Sequence, residues 1–155
     1  MSGNDRTALV IGATGGVGGA TAAALLKHGW RVRAMNRDPQ GAARRTALSG
    51  LDWVGGDAMI PSDVMRAAEG ASIVFHGANP PGYRNWKGLA VPMLDASLAA
   101  AKAVGARLIL PGTVYNYGPG AGDVGAEDAP QMPQTRKGAI RVAMEKRIED
   151  SGVPA

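Results

Sequence analysis

Five short, mostly apolar runs recur along the chain: Ala8–Ile11, Arg31–Met35, Leu51–Val54, Ser72–Phe75 and Arg107–Leu110. Runs of this length without strict alternation suit strands that helices cover on both faces. Between them the spacing turns helical. An alanine-rich stretch from Gly15 to Lys27 places Leu25 and Leu26 toward the strands. A short helix is expected near Gln40–Leu48, after Asp38-Pro39, and another near Ser62–Ala68, after Pro61, with Ser62 as its N-cap. A longer stretch from about Trp86 to Val104 contains Pro92, which is expected to bend or divide it. In the last helix, from about Thr135 to Asp150, Ile140, Met144 and Ile148 recur at i, i+4, i+8 as an apolar face. Arg141, Glu145 and Glu149 read as its solvent side, and Ser151-Gly152 as its stop.

Strand–helix alternation with short connections makes this an α/β chain with a doubly wound parallel sheet of about five strands. Gly152-Val153-Pro154-Ala155 reads as the beginning of a sixth strand, so the sheet is expected to be truncated there. One long irregular segment interrupts the alternation, from Pro111 to about Gln134, rich in glycine and proline. It leaves the C-terminal end of a strand, which is where open α/β sheets bind their ligands.

Between the first strand and the first helix stands Gly12-Ala13-Thr14-Gly15-Gly16-Val17-Gly18. A glycine-rich turn there lets backbone approach a ligand closely, and the helix N-terminus presents free N–H groups and a positive dipole end. The arrangement suits the pyrophosphate of a dinucleotide. The spacing is G-x-x-G-x-x-G, and the strand before it and helix after it supply the required context.

Composition narrows the field. The 155 residues make one domain, and 45% hydrophobic with 19% charged residues is globular. There is no cysteine, and the two histidines, His28 and His76, are far apart, so no metal site is expected. No apolar run reaches the ~18–20 residues of a membrane span, and the first residues are polar, so a cytoplasmic protein without a membrane partner is expected. The net charge of +4 comes from dispersed basic residues, and aromatics are only 5%, which argues against a nucleic-acid partner. A homo-oligomer remains open.

Taken in order, several segments resemble the extended and atypical short-chain dehydrogenase/reductases, the NAD(P)-dependent epimerase/dehydratase group. They are the glycine turn, Asn36-Arg37-Asp38-Pro39 after the second strand, Gly56-Asp57 after the third, His76-Gly77-Ala78-Asn79 after the fourth, and Pro111-Gly112-Thr113-Val114-Tyr115-Asn116-Tyr117-Gly118 after the fifth. The resemblance implies a Rossmann-type sheet, with residues 1–155 as the NAD(P)-binding domain and a C-terminal substrate-binding part beyond it. It implies hydride transfer at a carbinol or carbonyl carbon of a small-molecule substrate, for instance a nucleotide sugar. A non-catalytic cofactor-binding sensor or scaffold, or an inactive fragment, stands as the alternative.

For the cofactor, an acid about 20 residues after the glycines selects NAD, and an arginine there accommodates the NADP 2′-phosphate. Here Asn36 and Arg37 occupy that place, with Arg33 and Arg44 as candidate helpers, and Asp38 reads as a cap for the next helix. NADP is therefore expected over NAD. Gly12, Thr14, Gly15, Gly16, Val17 and Gly18 are assigned to the cofactor phosphates. By resemblance Asp57, with the backbone of Ala58, meets the adenine, and Gly77 and Ala78 let the ribose and phosphates pass. His76 reads first as a packed, hydrogen-bonded group.

The family's chemistry combines a tyrosine acid/base, a lysine that lowers its pKa and holds the nicotinamide ribose, and a hydroxyl that polarises the substrate oxygen. Thr113 fits the hydroxyl and Lys137 the lysine. Four residues before Lys137 stands Pro133 rather than the tyrosine. Tyr115 and Tyr117 are the nearby phenols that could replace it, with Tyr117 taken as the candidate; Tyr83 lies after another strand. Asp123, Glu127 and Asp128 read as a solvated stretch of the same loop.

Overall fold

The computed structural model describes residues 6–80, 82, 85–119, 126 and 128–155. Tyr83, Asp123 and Glu127 lie outside these. Five parallel strands form one sheet: β1 (Thr7–Ile11), β2 (Arg31–Asn36), β3 (Leu51–Gly55), β4 (Ile73–His76) and β5 (Arg107–Ile109), in the spatial order β3-β2-β1-β4-β5. The register sets Ile11 beside Met35 on one side and His76 on the other. This is the Rossmann-type doubly wound sheet, with the order reversing between β1 and β4.

Alternate residues of each strand enter opposite layers. Val10, Val32, Ala34 and Phe75 pack with Ala22, Leu25 and Leu26 of α1 (Gly16–Lys27). Leu9, Ile11 and Val74 pack on the other face with α3 (Pro61–Ala68), α4 (Trp86–Val104) and α5 (Arg136–Ser151). The small α2 (Pro39–Arg45) follows β2. Asp38 caps it, accepting from the Gly41 N–H at 2.9 Å, as its place before Pro39 suggests. Gly152 ends α5 in the left-handed region, with φ of +69°.

Several local expectations are corrected. The N-cap of α3 is Ile60 rather than Ser62, because Pro61 occupies the first helical position and makes the residue before it extended. Pro92 does not divide α4, which runs unbroken from Trp86 to Val104. A single missing N–H near the start of a well-packed helix leaves the surrounding hydrogen bonds intact. Helix α2 stops at Arg45, not Leu48, since Thr46 is extended and its hydroxyl accepts from the Leu48 N–H. The irregular segment contains one turn of 3-10 helix, Val114–Asn116, capped by the Thr113 hydroxyl. Residues 153–155 run beside β5: the Leu108 N–H donates to the Pro154 carbonyl at 2.8 Å, as a further strand would require.

Candidate functional site

The C-terminal ends of β1 and β4 diverge into opposite helical layers, which opens a crevice between them. Gly12 and Gly77 form its floor. Gly12 has φ of +91°, and a Cβ added there would stand 2.6 Å from the Gly77 carbonyl oxygen. One added at Gly77 would stand 2.9 Å from the Ile11 carbonyl oxygen, which already accepts the Gly77 N–H at 2.8 Å. A side chain at Gly12 would collide with the end of β4, and one at Gly77 with the Phe75 ring and the end of β1.

Above this floor lies the start of α1. Gly15 is its N-cap and brings no capping side chain, and the first turn contains no acidic residue. The Gly15 N–H donates to the Gly12 carbonyl, and Gly19 is the first to close a helical bond, to Gly15. The N–H groups of Gly16, Val17 and Gly18 therefore lie in the part of the turn that has no intrahelical acceptor. Gly18 presses the helix onto the turn, because a Cβ there would overlap the Gly12 carbonyl. Three donors and the positive helix end in a glycine-rich cradle suit a pyrophosphate.

A hollow opens on each side of the cradle, and both include Gly77, Ala78 and Asn79. On the β2–β3 side the hollow includes Gly12, Thr14, Gly15, Arg37, Asp57 and Ala58. Arg37 is exposed at its rim. Asp38 is committed elsewhere: besides capping α2, its second oxygen lies 3.7 Å from Arg45. The Asn36 side-chain Oδ1 accepts from the Asp38 N–H. Asp57 shapes its own turn, accepting from the Met59 N–H while its N–H donates to Asp63. That N–H, aided by Arg66, holds the Asp63 carboxyl below its ordinary pKa. Arg33 does not line this hollow. Its guanidinium donates to the Ala67 and Glu69 carbonyls at 2.6 and 2.8 Å, binding the end of α3 to β2.

On the β4–β5 side the hollow takes in Val17, His76, Thr113, Tyr115 and Arg141. Val17 is an exposed apolar residue at its edge, 62% accessible. The Thr113 hydroxyl accepts from the Tyr115 N–H at 3.3 Å. Of the two nearby phenols, Tyr115 lines this hollow; Tyr117 ends the 3-10 turn, half-buried and outside the lining. Lys137 is exposed in the first turn of α5, also outside the lining. One turn further on, Arg141 does reach it.

Arg141 is thus not part of a solvent face. It is half-buried, and its guanidinium donates to the Pro111 carbonyl. The available signal was its i+4 spacing from Lys137, which sets both on one side of the helix. His76 is packed and hydrogen-bonded as read, its Nδ1 lying 2.7 Å from the Ser97 hydroxyl. Burial, with the nearby Arg141 charge, pushes its pKa down to about 4. Among the described residues no cluster suited to a metal ion occurs, and no helix is long and apolar enough to cross a membrane.

A family model described as NAD(P)H-binding matches residues 12–154. An NmrA-like family domain-containing oxidoreductase, notA, of Aspergillus sp. (strain MF297-2) is 40% identical over 78 residues, 49% of this chain and 23% of that protein. A short-chain dehydrogenase/reductase superfamily protein from Agrobacterium tumefaciens, solved with bound NAD, superposes with a TM-score of 0.72 at 25% identity, over 94% of this chain and 44% of that one. The UDP-glucuronic acid 4-epimerase from Bacillus cereus, solved with UDP-glucuronic acid and NAD, gives 0.79 at 21% identity, over 94% and 52%. The chain thus spans about half the length of these solved structures, or less.

Proposed function

The chain belongs to the NAD(P)H-binding family, and on that footing we propose that it prefers NADP to NAD and forms the cofactor half of an epimerase/dehydratase-like oxidoreductase. The observation that carries the preference is the pair Arg37 and Asp38. The guanidinium stands at the rim of the β2–β3 hollow, where it can fork onto a ribose 2′-phosphate. The carboxylate that would repel that phosphate is turned into α2 by its bond to Gly41.

The dinucleotide fits along the crevice with its pyrophosphate over Gly15–Gly18 and one lobe in each hollow. Asp57 and Ala58 border the adenine lobe, and Val17 offers the nicotinamide an apolar seat. When bound, the nicotinamide supplies hydride transfer to or from a carbon of the substrate. Around it, the Thr113 hydroxyl can donate its proton to a substrate oxygen, and the Tyr115 phenol can exchange a proton with the substrate. Lys137 contributes positive charge at the start of α5. Nucleotide sugars are the substrate class we favour, since the UDP-glucuronic acid epimerase shares this fold.

Pro133 supports a second reading, a cofactor-responsive sensor without turnover, because it removes the phenol four residues before Lys137. Titration with NADPH and NADH, followed through the fluorescence of Trp86 beside the nicotinamide-side hollow, tests the cofactor preference. Equal affinities would end it. Turnover of a carbonyl panel that is lost in Lys137→Ala would exclude the sensor.

A further inference from the structure

His76 combines deep burial with a position on a ligand hollow. The residue is 1% exposed and lines the cavity on the β4–β5 side. Its two ring nitrogens differ. Nδ1 meets the Ser97 hydroxyl at 2.7 Å, and that hydroxyl donates its single proton to the Met93 carbonyl at 3.2 Å. Ser97 Oγ is then left to accept, so Nδ1 carries the ring proton and Nε2 a lone pair. Nε2 is buried and has no hydrogen-bond partner. The apolar surroundings hold the ring neutral.

We propose that His76 Nε2 is the acceptor for a neutral hydrogen-bond donor on the ligand that fills this hollow, either the carboxamide N–H of a nicotinamide or a hydroxyl of a second ligand bound against it. The inference rests on the reading of this hollow as the nicotinamide end of the crevice. Arg141 offers only donors, and the Thr113 and Tyr115 hydroxyls can serve either way. His76 adds an acceptor that cannot donate while its tautomer is held. A buried lone pair without a partner is costly, and a ligand donor recovers that cost on binding. A ligand carbonyl or carboxylate oxygen at the same place would face the lone pair and be disfavoured.

The test is the ring-nitrogen NMR spectrum of protein labelled with 15N-histidine. Only His28 and His76 contribute, and His28→Gln assigns them. At pH 7 the free protein is expected to show His76 with Nδ1 protonated and Nε2 unprotonated. NADP+ should shift Nε2 toward the position of a hydrogen-bonded acceptor, whereas 2′-phospho-ADP-ribose, which lacks nicotinamide, should bind without doing so. A shift that comes only when UDP-glucose joins NADP+-saturated protein assigns the donor to a hydroxyl of the second ligand. His76→Phe should weaken NADP+ binding roughly three- to tenfold while leaving 2′-phospho-ADP-ribose unaffected, and His76→Gln, whose amide oxygen accepts, should restore much of it. A protonated Nε2 in the free protein, or an Nε2 unmoved in every titration although the nucleotides bind, overturns the assignment of His76 alone. Failure of both NADP+ and 2′-phospho-ADP-ribose to bind overturns the cofactor reading with it.

Discussion

Gly12 lies so close to Gly77 across the centre of the sheet that a side chain on Gly12 would run into the Gly77 backbone. A Cβ on the first would lie 2.6 Å from the carbonyl oxygen of the second. Their contact joins the ends of β1 and β4, the two strands whose divergence makes the crevice. Gly12→Ala is expected to suffer twice, from this overlap and from a φ of +91° that alanine resists. A loss of about 2–4 kcal/mol of stability, with NADPH binding abolished, is expected in chemical denaturation and titration. Unchanged stability would contradict the geometry.

The glycines of α1 should behave unequally. A Cβ at Gly16 meets nothing within 4 Å, whereas one at Gly18 overlaps the Gly12 carbonyl. Gly16→Ala should therefore keep or slightly raise the melting temperature, since alanine favours a helix by up to ~1 kcal/mol over glycine. Gly18→Ala should lower it and weaken NADPH binding, because α1 must lift away from the turn. Equal thermal shifts in the two variants would argue against the close seating of the helix.

Arg37→Ala is expected to reduce NADPH affinity by about tenfold or more, the scale of hydrogen bonds to charged groups, and to leave NADH affinity nearly unchanged. Paired titrations with the two cofactors measure this. A parallel loss for both would place the guanidinium somewhere other than at the 2′-phosphate.

Arg33→Met should show the opposite pattern. Its donors bind the Ala67 and Glu69 carbonyls at the end of α3. Their loss should cost roughly 1–3 kcal/mol in denaturation with little effect on NADPH affinity. A selective loss of NADPH binding would instead return Arg33 to the cofactor site.

His76 imposes a pH dependence. Its pKa falls from an ordinary 6.5 to about 4, chiefly through burial and secondarily through Arg141. Between these values the unfolded chain takes up a proton that the folded protein refuses. Stability is therefore complete above pH 6.5 and falls as pH drops toward 4, by about 3 kcal/mol across that window. Denaturation of the wild type and of His76→Gln at pH 4.5 and 7.5 checks the sign: the wild type should lose more stability in acid than the variant.

The sheet, its helices and the glycine turn are legible in the residue pattern alone. Apolar runs such as Ala8–Ile11 must be covered on both faces, and the glycines between Gly12 and Gly18 mark a tight turn from strand to helix. The pattern also determined the cap at Asp38, since a side chain before Pro39 meets the first helical N–H groups through local geometry alone. Tertiary structure decided what depends on groups distant in the chain. Arg33 was drawn to α3 because two carbonyls at the end of that helix arrive beside β2. Arg141 was brought from the apparent solvent face of α5 to Pro111 because α5 packs against the segment that follows β5. Tyr115 rather than Tyr117 reached the hollow because the 3-10 turn rotates successive side chains apart. The tautomer of His76 follows from Ser97, 21 residues away. Periodicity locates faces along one element, but the partner of a polar group is fixed only when two elements meet.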